Sequence, residues 1–125
     1  MKSIGVGVIG TGFMGKAHSI AYSSSGSVFG TSLRPKLEIV CDLSPSRAKN
    51  RATDLGFARY TDKWQEVVND PKVDLISVCT PNNTHAEISL SALRVSAAYS
   101  RHDHPLSFCN AAKTTSLSAL SWSLA

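Results

Sequence analysis

The chain has 125 residues and, with 13 Lys+Arg against 9 Asp+Glu, a formal net charge of +4, which leaves room for one domain with a sizeable core but not for two. At 42% hydrophobic and 18% charged residues it is not a disordered polyelectrolyte; no apolar run approaches the ~18 residues of a membrane helix; and three cysteines are odd in number and too few for a disulfide framework. The basic residues are scattered singly from Lys2 to Lys113, without the clustering that nucleic-acid binding requires, so the expectation is a reduced, cytoplasmic chain that engages neither nucleic acid nor membrane.

Met1 to Ile20 has a charge at Lys2 and an apolar stretch from Ile4 to Met14, the outline of a secretory signal. Gly5, Gly7, Gly10 and Gly12 interrupt that stretch, however, and Lys16 and His18 occupy the place of a small-residue cleavage site. A strand, a tight turn and a helix describe the segment better. Ser3 to Ile9 is short and β-branched, as a buried strand is, and Gly10-Thr11-Gly12 punctuates it. Met14, Ala17, Ile20 and Ala21 then recur at helical spacing, and Ser23 to Lys36 reads as a loop.

Leu37 to Cys41 is a second strand candidate, ending at Asp42. Ser44 followed by Pro45 predicts a capped helix start, and Gly56 a helix end. Ala58 to Tyr60 reads as a short strand, and Thr61 as the cap of a helix through Trp64, Val67 and Val68 that stops before Pro71. Val73 to Thr80 is the clearest buried strand. Pro81-Asn82-Asn83 turns the chain, and Thr84 with Glu87 has the spacing of a capping box for a helix through Ile88, Leu90 and Leu93. The alternation predicts an α/β fold, a doubly wound parallel sheet of Rossmann type with four clear strands and a degenerate fifth. The dinucleotide-binding domain is expected over residues 1–94 and a degenerate, serine-rich tail over 95–125.

Gly10-Thr11-Gly12-Phe13-Met14-Gly15 matches G-x-G-x-x-G directly after a predicted strand and at the start of a predicted helix, the setting in which that pattern has meaning. Gly10 permits the tight turn, Gly12 lets a pyrophosphate approach the backbone, and Gly15 lets helix and strand pack closely. The helix start then offers free N–H groups to the phosphates.

Asp42, at the end of the second strand, can accept hydrogen bonds from adenosine ribose hydroxyls and would repel a 2′-phosphate, which favours NAD over NADP. It can equally cap the next turn as a surface residue. Its distance from Gly10 exceeds the usual ~20 residues, an excess assigned to the Ser23–Lys36 loop. Arg47, one helical turn on, keeps NADP possible. Thr80, Pro81 and Asn82 follow the fourth strand, where ligands of open parallel sheets sit, and His85 is either a site residue or a surface residue of the next turn. His102, His104 and Cys109 lack a fourth ligand for a metal, and none is expected. Cys41 and Cys79 end strands on either side of the first, ~10 Å apart and too far for a disulfide.

The stretches IGVGVIGTGFMGKAHSIAY, EIVCDLSPSRA and GFARYTDKWQEVVNDPKVDLISVCTPNNTHAEISLSALR resemble, in order, the N-terminal domain of the glucose–fructose oxidoreductase / inositol dehydrogenase (Gfo/Idh/MocA) family. The resemblance covers about Ser3 to Arg94. It implies an NAD(P)-binding domain of an oxidoreductase that moves hydride between nicotinamide and a sugar or cyclitol hydroxyl. Beyond Arg94 the family has a strand such as GKHVYCEKP, where this chain has Val95 to Arg101 and then Asp103-His104-Pro105-Leu106-Ser107, with His104 at the family's lysine. A brief slip of reading frame would produce such an interruption. The family's substrate domain is absent, so the chain is expected to be inactive alone. The alternative is a non-catalytic nucleotide-binding module or partner protein. The missing strand predicts an open sheet edge and self-association through it.

Overall fold

The structure, a computed structural model, describes residues 2–100. Strands and helices alternate as β1 (Lys2–Ile9), α1 (Phe13–Phe29), β2 (Leu33–Cys41), α2 (Pro45–Leu55), β3 (Arg59–Thr61), α3 (Trp64–Val68), β4 (Leu75–Val78) and α4 (Asn82–Ser100). The four strands are parallel in the order β3-β2-β1-β4, the α/β Rossmann-type arrangement read from the sequence. Parallel strands need crossover helices, and these cover both faces of the sheet.

The two faces carry separate cores. Val6, Val8, Leu37 and Val40 pack with Ala52 and Phe57 on the face of α2. Ile9, Ile39, Cys41 and Ile76 pack with Val67, Val68, Ile88 and Ala92 on the face of α3 and α4. A register shift against β1 between Val6 and Gly7 lets Leu37 and Val40, three residues apart, share a face. Burying each such Val or Ile is worth about 1.5–3 kcal/mol.

Several local expectations are corrected. The segment Ser23 to Lys36 is not a loop: α1 continues to Phe29, and β2 begins at Leu33. The serines do not break the helix because their hydroxyls bond back within it, Ser19 to the carbonyl of Gly15, Ser23 to that of Ser19 and Ser25 to that of Tyr22. Gly26 lies against the Arg34 side chain, where a Cβ would overlap it, while Gly30 is the true end of the helix, left-handed at φ 60°. Pro35 is tolerated in β2 because β3 pairs only with Ile39 to Cys41, so its own stretch is paired with β1 alone.

The second correction concerns the packed face of α1. Met14 and Ile20 are exposed, and the residues buried in this helix are Gly15, Ser19 and Gly26. Small side chains let the helix lie close to the sheet, and the apolar stripe read from spacing points elsewhere. Third, α4 starts at Asn82, so Thr84 and Glu87 stand inside it and form no capping box at its start. Thr61 likewise precedes the cap position of α3, which is Lys63. Its hydroxyl accepts from the Lys63 N–H and donates to the Glu66 carboxylate. Helix α4 also runs past Arg94 to Ser100, through residues that stand where the family resemblance calls for a strand.

A charge cluster braces the amino end of β3. Glu38 pairs with Lys36 at 2.6 Å, and Arg59 reaches Asp70 at 2.5 Å. The Arg59–Glu38 contact, at 3.5 Å, is an ion pair without a hydrogen bond. The Lys36 hydrogen bond leads in holding the Glu38 carboxyl below its ordinary range, against burial. At Asp70 burial is the largest influence and works upward, but the bonds from Arg59 and the Lys72 backbone together outweigh it, and the carboxyl is lowered. Both acids are stronger in the folded state. Their stabilisation is therefore complete above the unfolded values near pH 4 and is lost as pH falls through the folded ones. The urea midpoint should hold level from neutrality to about pH 5 and fall below about pH 4, and Arg59→Met should flatten that fall. An equally steep acid loss in Arg59→Met removes the Arg59 contacts as its cause.

Candidate functional site

The carboxyl ends of all four strands are stitched together by backbone hydrogen bonds. Gly10 N–H donates to the carbonyl of Cys41 at 2.9 Å, Cys79 N–H to that of Ile9 at 2.7 Å, and Asp42 N–H to that of Thr61 at 3.2 Å. Gly10 turns the chain out of β1 at φ 97°, and a Cβ there would come within 2.5 Å of the Cys79 carbonyl oxygen. At Gly15 a Cβ would overlap the Gly10 carbonyl oxygen, so the first turn of α1 rests on the turn itself.

Gly12 is the exception: a Cβ there meets nothing within 4 Å. It is the N-cap of α1 and has no side chain to satisfy the helix's first N–H groups. Phe13 and Met14, the next two residues, are exposed, Phe13 at 84%. An open cradle lined by unsatisfied N–H donors and the positive end of a 17-residue helix fits an anionic group such as a pyrophosphate.

Asp42 is buried, with a side chain 8% exposed, and both its oxygens are in use. Oδ2 accepts from the hydroxyl of Thr11, Oδ1 accepts from Ser44 N–H at 3.1 Å, and Arg47 Nη1 lies 3.5 Å from Oδ1. The turn-capping and site readings of this aspartate are thus compatible. Arg47 is tied to the acid rather than standing apart from it.

Beyond β4, Thr80 is bonded from two sides. Its hydroxyl accepts from Thr84 Oγ1 at 2.7 Å, and its carbonyl accepts from His85 Nε2 at 2.6 Å. His85 therefore carries its proton on Nε2 and braces the Thr80–Pro81 turn. Pro81 and Asn82 are exposed at the mouth of the same edge.

Sequence reasoning missed one polar group. His18 Nδ1 lies 2.7 Å from Ser77 Oγ and 3.7 Å from Cys79 Sγ, with Tyr22 edge-on to its ring. The signal was present: His18 and Tyr22 are one turn apart on α1, and Ser77 in β4 and Cys79 just after it are two residues apart. Burial, ahead of other causes, raises the Tyr22 phenol and the Cys79 thiol. Burial and then the carboxylates of Asp42, Asp62 and Glu66 push Cys41 to about 12. Both thiols therefore stay protonated and unreactive near neutrality, and both are free. Among the described residues no group of three His, Cys, Asp or Glu could hold a metal. His102, His104 and Cys109 lie outside those residues.

Residues 4–120 match the family described as "Oxidoreductase family, NAD-binding Rossmann fold". Levoglucosan dehydrogenase of Pseudarthrobacter phenanthrenivorans is 37% identical over 93 residues, 74% of this chain and 24% of that protein. Inositol 2-dehydrogenase/D-chiro-inositol 3-dehydrogenase of Lactiplantibacillus plantarum is 33% identical over 91 residues, 71% of this chain and 24% of its own. A solved levoglucosan dehydrogenase in complex with NADH superposes with a TM-score of 0.74 at 34% identity, over 76% of this chain and 26% of that one. The chain spans about a quarter of the length of the curated relatives it matches.

The glycines separate binding from folding. Gly12→Val puts methyl groups into open space, so the thermal midpoint should stay near wild type while NAD affinity, read by calorimetric titration, collapses. Gly10→Ala forces a Cβ onto a left-handed residue and a carbonyl, and should cost at least about 1–3 kcal/mol of stability. A folded Gly12→Val that binds NAD as tightly as wild type removes this turn as the pyrophosphate site.

Proposed function

We infer this chain's role from a plain premise: it belongs to the Gfo/Idh/MocA oxidoreductase family, and it is an NAD-binding Rossmann domain. It serves as the cofactor-holding part of a dehydrogenase acting on a sugar or cyclitol hydroxyl. The names of the levoglucosan and inositol dehydrogenases support that substrate class. The observation that carries the cofactor assignment is the open cradle at Gly12, flanked by glycines whose own Cβ positions are filled.

In this reading the turn Gly10 to Gly15 and the start of α1 hold the pyrophosphate, and Asp42 accepts from the adenosine ribose. Thr80, Pro81 and Asn82 line the path toward the nicotinamide, which when bound accepts hydride at its C4. Oxidising an alcohol also needs a base for the hydroxyl proton. Neither histidine among the described residues is free for that role: His18 is tucked between α1 and β4, and His85 braces the turn. Cofactor binding without turnover is therefore the proposed behaviour of the 125-residue chain, which is also how a non-catalytic nucleotide-binding module would behave. Mixing it with NAD and a panel of polyols should give no reduced-cofactor absorbance. Clear turnover overturns that part of the reading.

Asp42 favours NAD, and Arg47 retains some capacity for NADP. Asp42→Ala should weaken NAD by about tenfold, the worth of hydrogen bonds to a charged group, and NADP by less. Equal losses for the two dinucleotides would detach Asp42 from the ribose. Among the described residues β4 pairs only with β1, and no described helix is long and apolar enough to cross a membrane. A bare apolar strand edge is a template for pairing, so the chain self-associates through β4. Sedimentation should show oligomers that grow with concentration, and a monomer across the range rejects the edge as an interface.

A further inference from the structure

Thr11 is the residue between the first two glycines of the turn, and its side chain does not face the open cradle. It is 4% exposed. Its hydroxyl donates to Oδ2 of Asp42, joining the turn after β1 to the acid after β2. The other donors to that carboxylate come from one direction only. Ser44 N–H, at 3.1 Å, and Arg47 Nη1, at 3.5 Å, both belong to the start of α2, and both meet Oδ1.

A carboxylate offers about four lone-pair directions. Thr11 and Ser44 each take one, on different oxygens, and Arg47 loosely claims a third, so the carboxylate is shared between two elements, one on each oxygen. Remove the Thr11 hydroxyl and only donors on the α2 side remain. Nothing then opposes rotation of the carboxylate onto the guanidinium, which prefers a two-pronged contact with both oxygens. In that pose both oxygens face arginine, and the negative charge that repels a 2′-phosphate is neutralised.

We propose that Thr11 is a positioning residue for cofactor choice: it keeps one oxygen of Asp42, Oδ2, from joining Oδ1 on Arg47 and leaves it aimed at a vicinal ribose diol, and so sets the preference for a dinucleotide with a free 2′-hydroxyl over its 2′-phosphorylated form. The inference rests on the dinucleotide-binding reading above and names what selects within that site.

The test is equilibrium titration of the full chain and its variants with NAD and with NADP, the fold of each checked by circular dichroism. Thr11→Val keeps the shape and removes the donor. It should lose about tenfold in NAD affinity with little loss for NADP, so the ratio of the two affinities drops by the same factor. Thr11→Ser restores the donor and should keep the wild-type ratio. In an Asp42→Ala background Thr11→Val should change nothing further, because Thr11 acts through Asp42. Equal losses for both dinucleotides in Thr11→Val, or a further loss in the Asp42→Ala background, overturn the proposal while leaving the cofactor site standing. Wild-type protein that binds neither dinucleotide brings down the site reading and this inference with it. Should Thr11→Val not fold, Thr11→Ser decides: a folded serine variant without the preference overturns the proposal, and one that keeps it while Asp42→Ala abolishes it supports it.

Discussion

The carboxyl edge of this sheet depends on one backbone turn. At Gly10 the chain leaves β1 with a positive φ that only glycine adopts cheaply, and it does so in contact with the end of β4 and bonded to the end of β2. Because the Gly10 carbonyl lies directly beneath Gly15, the same turn fixes where α1 begins. The direction of the helix, the opening at Gly12 and the height of Thr11 beside Asp42 all follow. A side chain at Gly10 or Gly15 would have to displace backbone, whereas one at Gly12 would displace only whatever binds there.

That turn also explains the unusual packing of α1. A helix seated on a carbonyl lies close to its sheet, and a close helix cannot present leucines or methionines inward. Gly15, Ser19 and Gly26 fill the contact instead, and the gap toward β4 is closed by polar groups, His18, Tyr22, Ser77 and Cys79, bonded or stacked on one another. Burial raises the Cys79 thiol and the Tyr22 phenol, so neither of these two groups brings a negative charge into the contact near neutrality. The serines farther along α1 spend their hydroxyls on the helix's own carbonyls, which lets a segment of loop-like composition remain helical through Phe29.

Charge is divided between the two ends of the sheet. At the carboxyl end a single buried carboxylate, Asp42, is contacted by Thr11, Ser44 and Arg47. At the amino end of β3, Glu38 and Asp70 are neutralised by Lys36 and Arg59 and serve the fold alone. The same residue type thus differs according to what surrounds it: the carboxylate at a strand's carboxyl end keeps spare lone pairs, and those paired with cations at the other end brace the fold.

The elements with strong local chemistry were legible in the sequence. The β-branched runs of β1, β2 and β4, the Ser44-Pro45 start and Gly56 end of α2, and the glycine turn with Asp42 after β2 are all set by residues that choose their own backbone, and the order of elements followed from them. The length of α1 was not legible. Serine and glycine favour loops in isolation, and only docking against the sheet, with Arg34 laid over Gly26, makes the helical alternative cheaper. The start of α4 was misjudged because Thr84 bonds back to Thr80 and Pro81 instead of capping. Partners distant in the chain were beyond reach for a related reason. That Thr11 bonds Asp42, and that His18, whose spacing on its helix was readable, comes to meet Ser77, depend on the register of strands and the height of α1. Those distances are decided by tertiary packing, since a residue's identity determines what it can bond to, and only the fold determines what comes within reach.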